Sequence, residues 1–273
     1  MSDIYFQEKI PSAYEGMRKL SKTGNKDLGF VVHDLYHREK DATVGFWDRL
    51  KENRWLKKGV ASNGQVTVLS EHTKNALVRT FPEAAGKVMV VKPNAEEAYR
   101  PTDEDARDSI RYQYTKGDAY FLYRGPIHPA AQIINLLKGF SIFKKRIGSN
   151  MKLVLCGPQG SYSTSILADI ETYKYREDLV WMSNPSAWEE ESILCSTYAL
   201  VHPCRWERFG IPVLNAMKSG IAVLTTEDSA MSEYCGAAGM YFNEKDPADI
   251  GEKLIRIYND EQMRSEMIGT GLL

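Results

Sequence analysis

The sequence predicts an α/β protein built on parallel sheets with helices on both faces. Three observations carry that expectation. Short β-rich apolar runs recur along the 273 residues, most of them continuously apolar, as strands buried on both faces are. Amphipathic stretches of helical length separate them. The resulting strand–helix alternation implies right-handed crossovers in a doubly wound arrangement.

In chain order, strands are expected at 28–32 (LGFVV), 66–69 (VTVL), 87–91 (KVMVV), 119–123 (AYFLY) and 152–156 (KLVLC), then at 179–182 (LVWM), 198–201 (YALV), 221–224 (IAVL) and 239–242 (GMYF). Thr102-Asp103-Glu104-Asp105 and Ser186-Ala187-Trp188-Glu189 both read as capping boxes that open helices. Over 130–146, Ile133, Leu137 and Phe140, with Ile134 and Leu136 beside them, form one stripe at helical spacing. Asp246-Pro247 supplies a cap and then proline at the first helical position, so a helix runs from there to about Tyr258. A turn at Lys92-Pro93-Asn94-Ala95 marks the expected boundary. Residues 96–273 then hold six strands, a complete Rossmann-like domain. Residues 1–95 hold three, a partial Rossmann-like domain whose sheet calls for cover by a partner chain or a second copy of this one.

Composition bounds the function. Lys and Arg number 35 against 36 Asp and Glu, for a net charge of −1, and 43% of residues are hydrophobic. A core of that size excludes a disordered chain, and the balanced charge gives no electrostatic footprint for nucleic acid or an anionic membrane surface. The longest apolar runs fall far short of the roughly 18 residues of a membrane span. The N-terminus lacks the basic start and apolar run of a signal peptide. Cys156, Cys195, Cys204 and Cys235 form no CxxC pair and read as buried free thiols, which points to the cytoplasm.

Several motif-like features carry no chemistry. There is no GxGxxG, P-loop or GxSxG. Asp103-Glu104-Asp105 imitates a metal-binding DxD, but it follows Arg100-Pro101-Thr102 rather than a strand and reads as helix-start chemistry. His33 and His37 have the spacing of a helical zinc pair, yet His33 ends a strand and no third ligand is evident. Lys57-Lys58 and Lys144-Lys145 read as solvated helix faces.

One stretch is specific: His202-Pro-Cys-Arg-Trp-Glu-Arg-Phe-Gly-Ile-Pro-Val-Leu-Asn-Ala-Met-Lys-Ser-Gly-Ile-Ala-Val-Leu224. It reads as a strand end, a loop with an acid, a glycine turn, a helix and a return to a strand. The helix start at Gly210–Val213 aims backbone N–H groups and the positive end of the dipole at the C-terminal edge of the sheet, where open α/β folds bind ligands and anions are favoured.

This stretch resembles the donor-binding signature PSxxEGFGxPxLEAMAxGxPVI of glycosyltransferase family 4, the glycosyl transferases group 1, which have the GT-B fold. Ser229-Ala-Met-Ser-Glu233 and Gly236-Ala-Ala-Gly-Met-Tyr-Phe242 resemble its SxxPE and GxAGxYF blocks. Tyr120–Gly125 and Lys152–Gly157 are similar to its first two donor-domain strands. His33-Asp34, Leu69–Lys74 and Lys87–Asn94 are similar to the second half of its acceptor domain.

The resemblance implies a GT-B-like chain with a truncated N-terminal domain, acting as a retaining glycosyltransferase. The donor is a nucleotide-sugar, the acceptor a glycan, lipid or other hydroxyl compound, and no metal or cofactor is expected. His33 and Glu207 take the catalytic roles. Gly125, Arg208, Phe209, Gly210, Ile211 and Asn215 contact the substrate. The second glutamate of the family's E-x7-E motif is replaced by Asn215. Its diphosphate-binding arginine and lysine are replaced by Pro126 and Ala131, with Arg124, His128, Arg205 or Arg208 as substitutes. The alternative is a catalytically silent binding or scaffold subunit on the same fold.

Overall fold

A computed structural model describes residues 30–39, 42–61, 64–207 and 209–272. Among these, β1 (Phe30–Val32), β2 (Val66–Val68) and β3 (Val88–Val90) form a parallel sheet in the order β1-β2-β3. A second parallel sheet holds β4 (Tyr120–Arg124), β5 (Lys152–Cys156), β6 (Leu179–Met182), β7 (Ala199–His202), β8 (Ala222–Thr226) and β9 (Gly239–Phe242), in the order β6-β5-β4-β7-β8-β9. Each run read as a strand from the sequence is one, although positions 28 and 29 lie outside the described residues.

The helices are α1 (Phe46–Ala61), α2 (Glu71–Thr80), α3 (Glu104–Thr115), α4 (Ile133–Ile147), α5 (Thr164–Glu171), α6 (Ala187–Cys195), α7 (Ile211–Lys218), α8 (Ala230–Cys235), α9 (Pro247–Asn259) and α10 (Glu261–Gly271). In the larger sheet the strand pleat sends alternate residues to two separate cores. Phe121, Tyr123, Leu153, Leu155, Val201 and Leu224 pack beneath α4, α9 and α10. Tyr120, Leu122, Val154, Leu200 and Val223 pack beneath α3, α6, α7 and α8. Apolar side chains on both faces are why these strands read as unbroken hydrophobic runs; burying each large one contributes about 1.5–3 kcal/mol. A third core under the smaller sheet joins Val32, Val66 and Val68 to Leu56 and Val60 of α1 and Leu77 of α2.

Local chemistry shifts three of the sequence expectations. The box at Thr102 is replaced by Asp103, whose side chain accepts from the Ala106 N–H and caps α3 directly. The 130–146 stretch opens as a 3-10 turn (Pro129–Ala131), and α4 starts only after Gln132, which sits in the left-handed region at φ 51°. Lys144 is buried, not solvated: it pairs with Asp178 at 2.9 Å and donates to the Ser149 and Met151 carbonyls beyond the end of α4. The Ser186 box at α6, the Asp246 cap of α9 and the four free, buried cysteines stand as read.

Candidate functional site

Strand order locates the site. Between β4 and β7 the sheet changes direction, because chain succession runs outward through β5 and β6 on one side and through β8 and β9 on the other. At such a switch point the connections leave toward opposite faces and open a crevice at the C-terminal strand ends. The loops after β4 and β7 are the ones that carry Gly125 and the His202–Ile211 segment.

After β4, Gly125 adopts φ 150° and donates its N–H to the Cys156 carbonyl at 2.9 Å. Its neighbour across the sheet, Gly157 (φ 148°), lies so close that a Cβ there would sit 2.2 Å from the Gly125 oxygen. The two glycines let the β4 and β5 loops lie side by side. Tyr123 donates from its hydroxyl to the Pro126 carbonyl at 2.9 Å and stacks on His202, with ring centroids 5.8 Å apart and planes 13° apart.

His202 ends β7 with no exposed surface, and its Nε2 lies 3.4 Å from the Glu207 carboxylate. Glu207, in the loop after β7, thus sits beside the strand end, with a long 3.5 Å contact from the Phe209 N–H on its other oxygen. His202, Cys204 and Glu207 each place a ligand atom within 4.8 Å of the others, the one such cluster among the described residues. Burial pushes the Cys204 thiol well above its ordinary pKa, with Glu207 adding to the effect, so it acts as a small apolar group at neutral pH.

Gly210 then turns the chain into α7 at φ 65°, packed so that a Cβ would fall 2.4 Å from the Tyr234 ring. Pro212 has no N–H and the Val213 N–H is taken by the Gly210 carbonyl at 3.1 Å. The helix start therefore offers a ligand the N–H groups of Gly210 and Ile211, a narrower set than Gly210–Val213.

The smaller sheet supplies the opposite wall. His33, buried at the end of β1, brings its ring to 4.8 Å from Phe209. Of the expected site residues, the structure brings His33 against Phe209, whose N–H lies 3.5 Å from Glu207; Gly210 and Ile211 follow directly in the chain, and Gly125 follows the end of β4, the strand beside β7. Tyr36 meets His128 edge-on at 5.9 Å, His72 meets Trp206 at 5.5 Å, and the Tyr234 hydroxyl donates to the Leu69 carbonyl at 2.7 Å. Arg208 lies outside the described residues.

Asn215 is placed differently. It is fully buried one turn deeper in α7, accepts from the Glu96 N–H at 2.9 Å and donates to the Glu96 carboxylate at 3.1 Å. With Lys218, which donates to the Glu96 carbonyl at 2.8 Å, it holds the segment joining the two sheets against α7. Two substitute cations are also engaged elsewhere. Arg124 is paired with Glu190 at 2.5 Å and lies over Tyr99, and Arg205 is paired with Asp228 at 2.6 Å. His128 turns its Nδ1 to the Ala130 N–H.

The sequence profile of the family described as "Glycosyl transferases group 1" matches residues 106–271, more than half of the chain. The chain belongs to this family. Among curated relatives of this group 1 member is the Escherichia coli protein named O-antigen chain mannosyltransferase B, 22% identical over 76% of this chain and 55% of its own length. The Salmonella typhimurium O-antigen chain mannosyltransferase RfbU is 22% identical over 87% of this chain and 66% of its own. The chain thus spans about half to two thirds of the length of these relatives. Among solved structures, WaaG, titled a glycosyltransferase involved in lipopolysaccharide biosynthesis, superposes with a TM-score of 0.74 at 15% identity, covering 95% of this chain and 76% of WaaG. Anabaena HepE, solved in complex with UDP and glucose, superposes with a TM-score of 0.73 at 12% identity, over 89% of this chain and 65% of its own. The two-sheet architecture is the GT-B fold. No helix among the described residues is long and apolar enough to cross a membrane.

The strand-end partners His202 and Tyr123 and the strap residue Glu96 escape sequence reasoning. His202 is visible only as the first residue of the specific stretch. Tyr123 looks like any strand aromatic, and Glu96 like any charge after a turn.

Proposed function

We propose that the chain transfers a sugar from a nucleotide-activated donor to an acceptor hydroxyl with retention of configuration at the anomeric carbon. The observation that carries this reading is the facing of His33 and Phe209 at 4.8 Å, which sets a strand-end histidine of one sheet against the helix start of the other at the switch point. In this reading the donor diphosphate lies on the Gly210 and Ile211 N–H groups, and the sugar reaches between His33 and Glu207. The acceptor oxygen bonds to the anomeric carbon on the face from which the diphosphate departs. The bond from that carbon to the phosphate oxygen breaks as the new one forms, and the hydroxyl proton passes to the departing oxygen.

Magnitudes indicate what else the leaving group needs. A helix start stabilises an anion by about 0.3–1 kcal/mol, up to ~2 when partly buried. Loss of one preorganised contact to a developing anion costs about 3 kcal/mol or more. The helix start therefore does not replace the family's two cations by itself. Arg124 and Arg205 are engaged with Glu190 and Asp228, so we assign the remaining role to Arg208, two residues before Gly210. The leaving charge is then held by Arg208 and the helix start without a metal.

Calorimetry with UDP, GDP and ADP, followed by transfer assays with the matching nucleotide-sugars, tests this reading. A mannosyl donor comes first because the relatives are named mannosyltransferases. Glu207→Ala should abolish transfer while nucleotide binding persists. The absence of heat with any of the three nucleotides would refute the transferase reading.

Pro126 and Ala131 at the clamp positions, together with the engaged Arg124 and Arg205, favour a second reading: a binding or scaffold subunit that performs no transfer. Transfer or donor hydrolysis lost in Glu207→Ala would exclude it.

A further inference from the structure

A sulfur atom stands at an unusual place in the donor-binding stretch. The signature that the stretch resembles opens with proline and serine, and here those positions read Pro203-Cys204. The other three cysteines lie in the packed core of the larger sheet. Cys204 instead follows the end of β7, three residues before Glu207. Its neighbours are two more groups that bind metals: His202, Cys204 and Glu207 each place a ligand atom within 4.8 Å of the others. Around a tetrahedral zinc ion, with bonds of about 2.0–2.3 Å, ligand atoms stand about 3.3–3.6 Å apart. The 3.4 Å between His202 Nε2 and a Glu207 oxygen already has that length. Glu207 is in a loop with its side chain 21% exposed, so it can close the remaining gap and leave an ion a way in.

The histidine is an independent sign. It has no exposed surface, and neither ring nitrogen has a hydrogen-bond partner among the described residues; the approach to Glu207 is a charge contact without hydrogen-bond geometry. A buried imidazole with both nitrogens unpartnered is costly, and a bound ion removes that cost. The ring is also held in place. Tyr123 stacks on it, and the Thr225 hydroxyl donates to the His202 carbonyl at 2.9 Å. The Trp206 N–H donates to the Cys204 sulfur. Supporting contacts of this kind orient metal ligands before the ion arrives. One thiolate, one imidazole and one carboxylate suit zinc, whereas magnesium and calcium take oxygen ligands.

We propose that His202, Cys204 and Glu207 hold one zinc ion, and that the ion stops sugar transfer by occupying the Glu207 carboxylate; the second half rests on the transferase reading above. On binding, the Cys204 S–H bond breaks, its electron pair goes to zinc and the proton passes to solvent. The ion is a reversible brake and takes no part in the transfer itself.

Calorimetry on the full chain, first dialysed against EDTA, tests the site directly. Zinc should bind at one ion per chain, and magnesium should give no heat. Cys204→Ser restores the serine of the signature and should weaken zinc binding by at least about a hundred-fold, the upper end of what loss of a supporting contact costs. Glu207→Gln keeps the size of the side chain and should weaken it as far; at its part-exposed position it carries the test if the serine variant fails to fold. Melting temperatures with and without zinc separate lost binding from lost folding: wild type should rise with zinc, and the folded variants should not. Cobalt used as a probe should give a thiolate-to-cobalt absorption band in the near ultraviolet that Cys204→Ser removes. No zinc binding, or wild-type affinity in either variant, refutes the site whatever the transfer assays show. If zinc binds as described and no nucleotide does, the site stands and the transferase reading falls. Where transfer is measured, zinc should stop it and EDTA restore it; transfer unchanged at full zinc occupancy overturns the brake.

Discussion

Gly210→Ala probes the join between the site and the packing that holds it. Two effects act together. At φ 65° an alanine occupies the left-handed region, which costs about 1–2 kcal/mol. Its Cβ would also stand 2.4 and 2.6 Å from two ring carbons of Tyr234 and 3.1 Å from the Met231 methyl. The methionine can swing aside. The tyrosine is tethered through its hydroxyl to the Leu69 carbonyl at 2.7 Å, so moving the ring breaks a bond that ties α8 to the end of β2, beside the His72 N–H donated to Glu233 at 3.0 Å. Overpacking of this kind costs about 1–3 kcal/mol and the lost hydrogen bond about 1 kcal/mol. The total is about 3–6 kcal/mol, a drop in melting temperature of roughly 10 °C. Thermal unfolding of Gly210→Ala, Tyr234→Ala and the double variant measures the parts. With the ring gone, Gly210→Ala should cost only its backbone share, about 1–2 kcal/mol, so the cycle should show a coupling of at least about 1 kcal/mol. Equal cost in both backgrounds would refute the packing argument, and a cost near zero in wild type would refute the left-handed turn itself.

Three further outcomes follow from the same geometry. Arg124→Met removes the partner of Glu190, whose side chain is 29% exposed, and should destabilise the fold by about 2 kcal/mol in urea while nucleotide affinity by calorimetry stays unchanged. Asn215→Ala deletes both bonds to Glu96 and should lower stability by about 2 kcal/mol; an unchanged urea midpoint would return Asn215 to the donor. His72 is held below its ordinary pKa of 6.5 by burial, which outweighs Asp228 and Glu233 pulling it up, while Arg205 and Arg79 add to the lowering. The unfolded chain therefore binds the proton first on acidification. Stability should be full above about pH 6.5 and fall as pH drops through the folded value. His72→Gln should flatten that part of the melting curve against pH; an unchanged slope would exclude His72 as its source.

The sequence by itself determined the secondary elements of the larger sheet. Strands such as Phe121–Tyr123 and Leu153–Cys156 are apolar on both faces because both faces are covered, and that condition is written residue by residue. Caps were legible where the chemistry is local, as at Ser186 and Asp246. Thr102 misled because Asp103, one residue on, is the residue that takes the cap, its side chain accepting from the Ala106 N–H at 2.9 Å. The turn into α7 at Gly210 was legible because glycine and proline fix the backbone locally.

What only the tertiary structure decided lies in contacts between residues far apart in the chain. Strand order put the ends of β4 and β7 side by side and stacked Tyr123 on His202. It gave Asn215 to Glu96, 119 positions away, and gave Arg124 and Arg205 to acids that no motif connects to them. Side-chain type specifies that a buried amide or guanidinium must find a partner. Which partner it finds depends on where the packed sheets bring the rest of the chain.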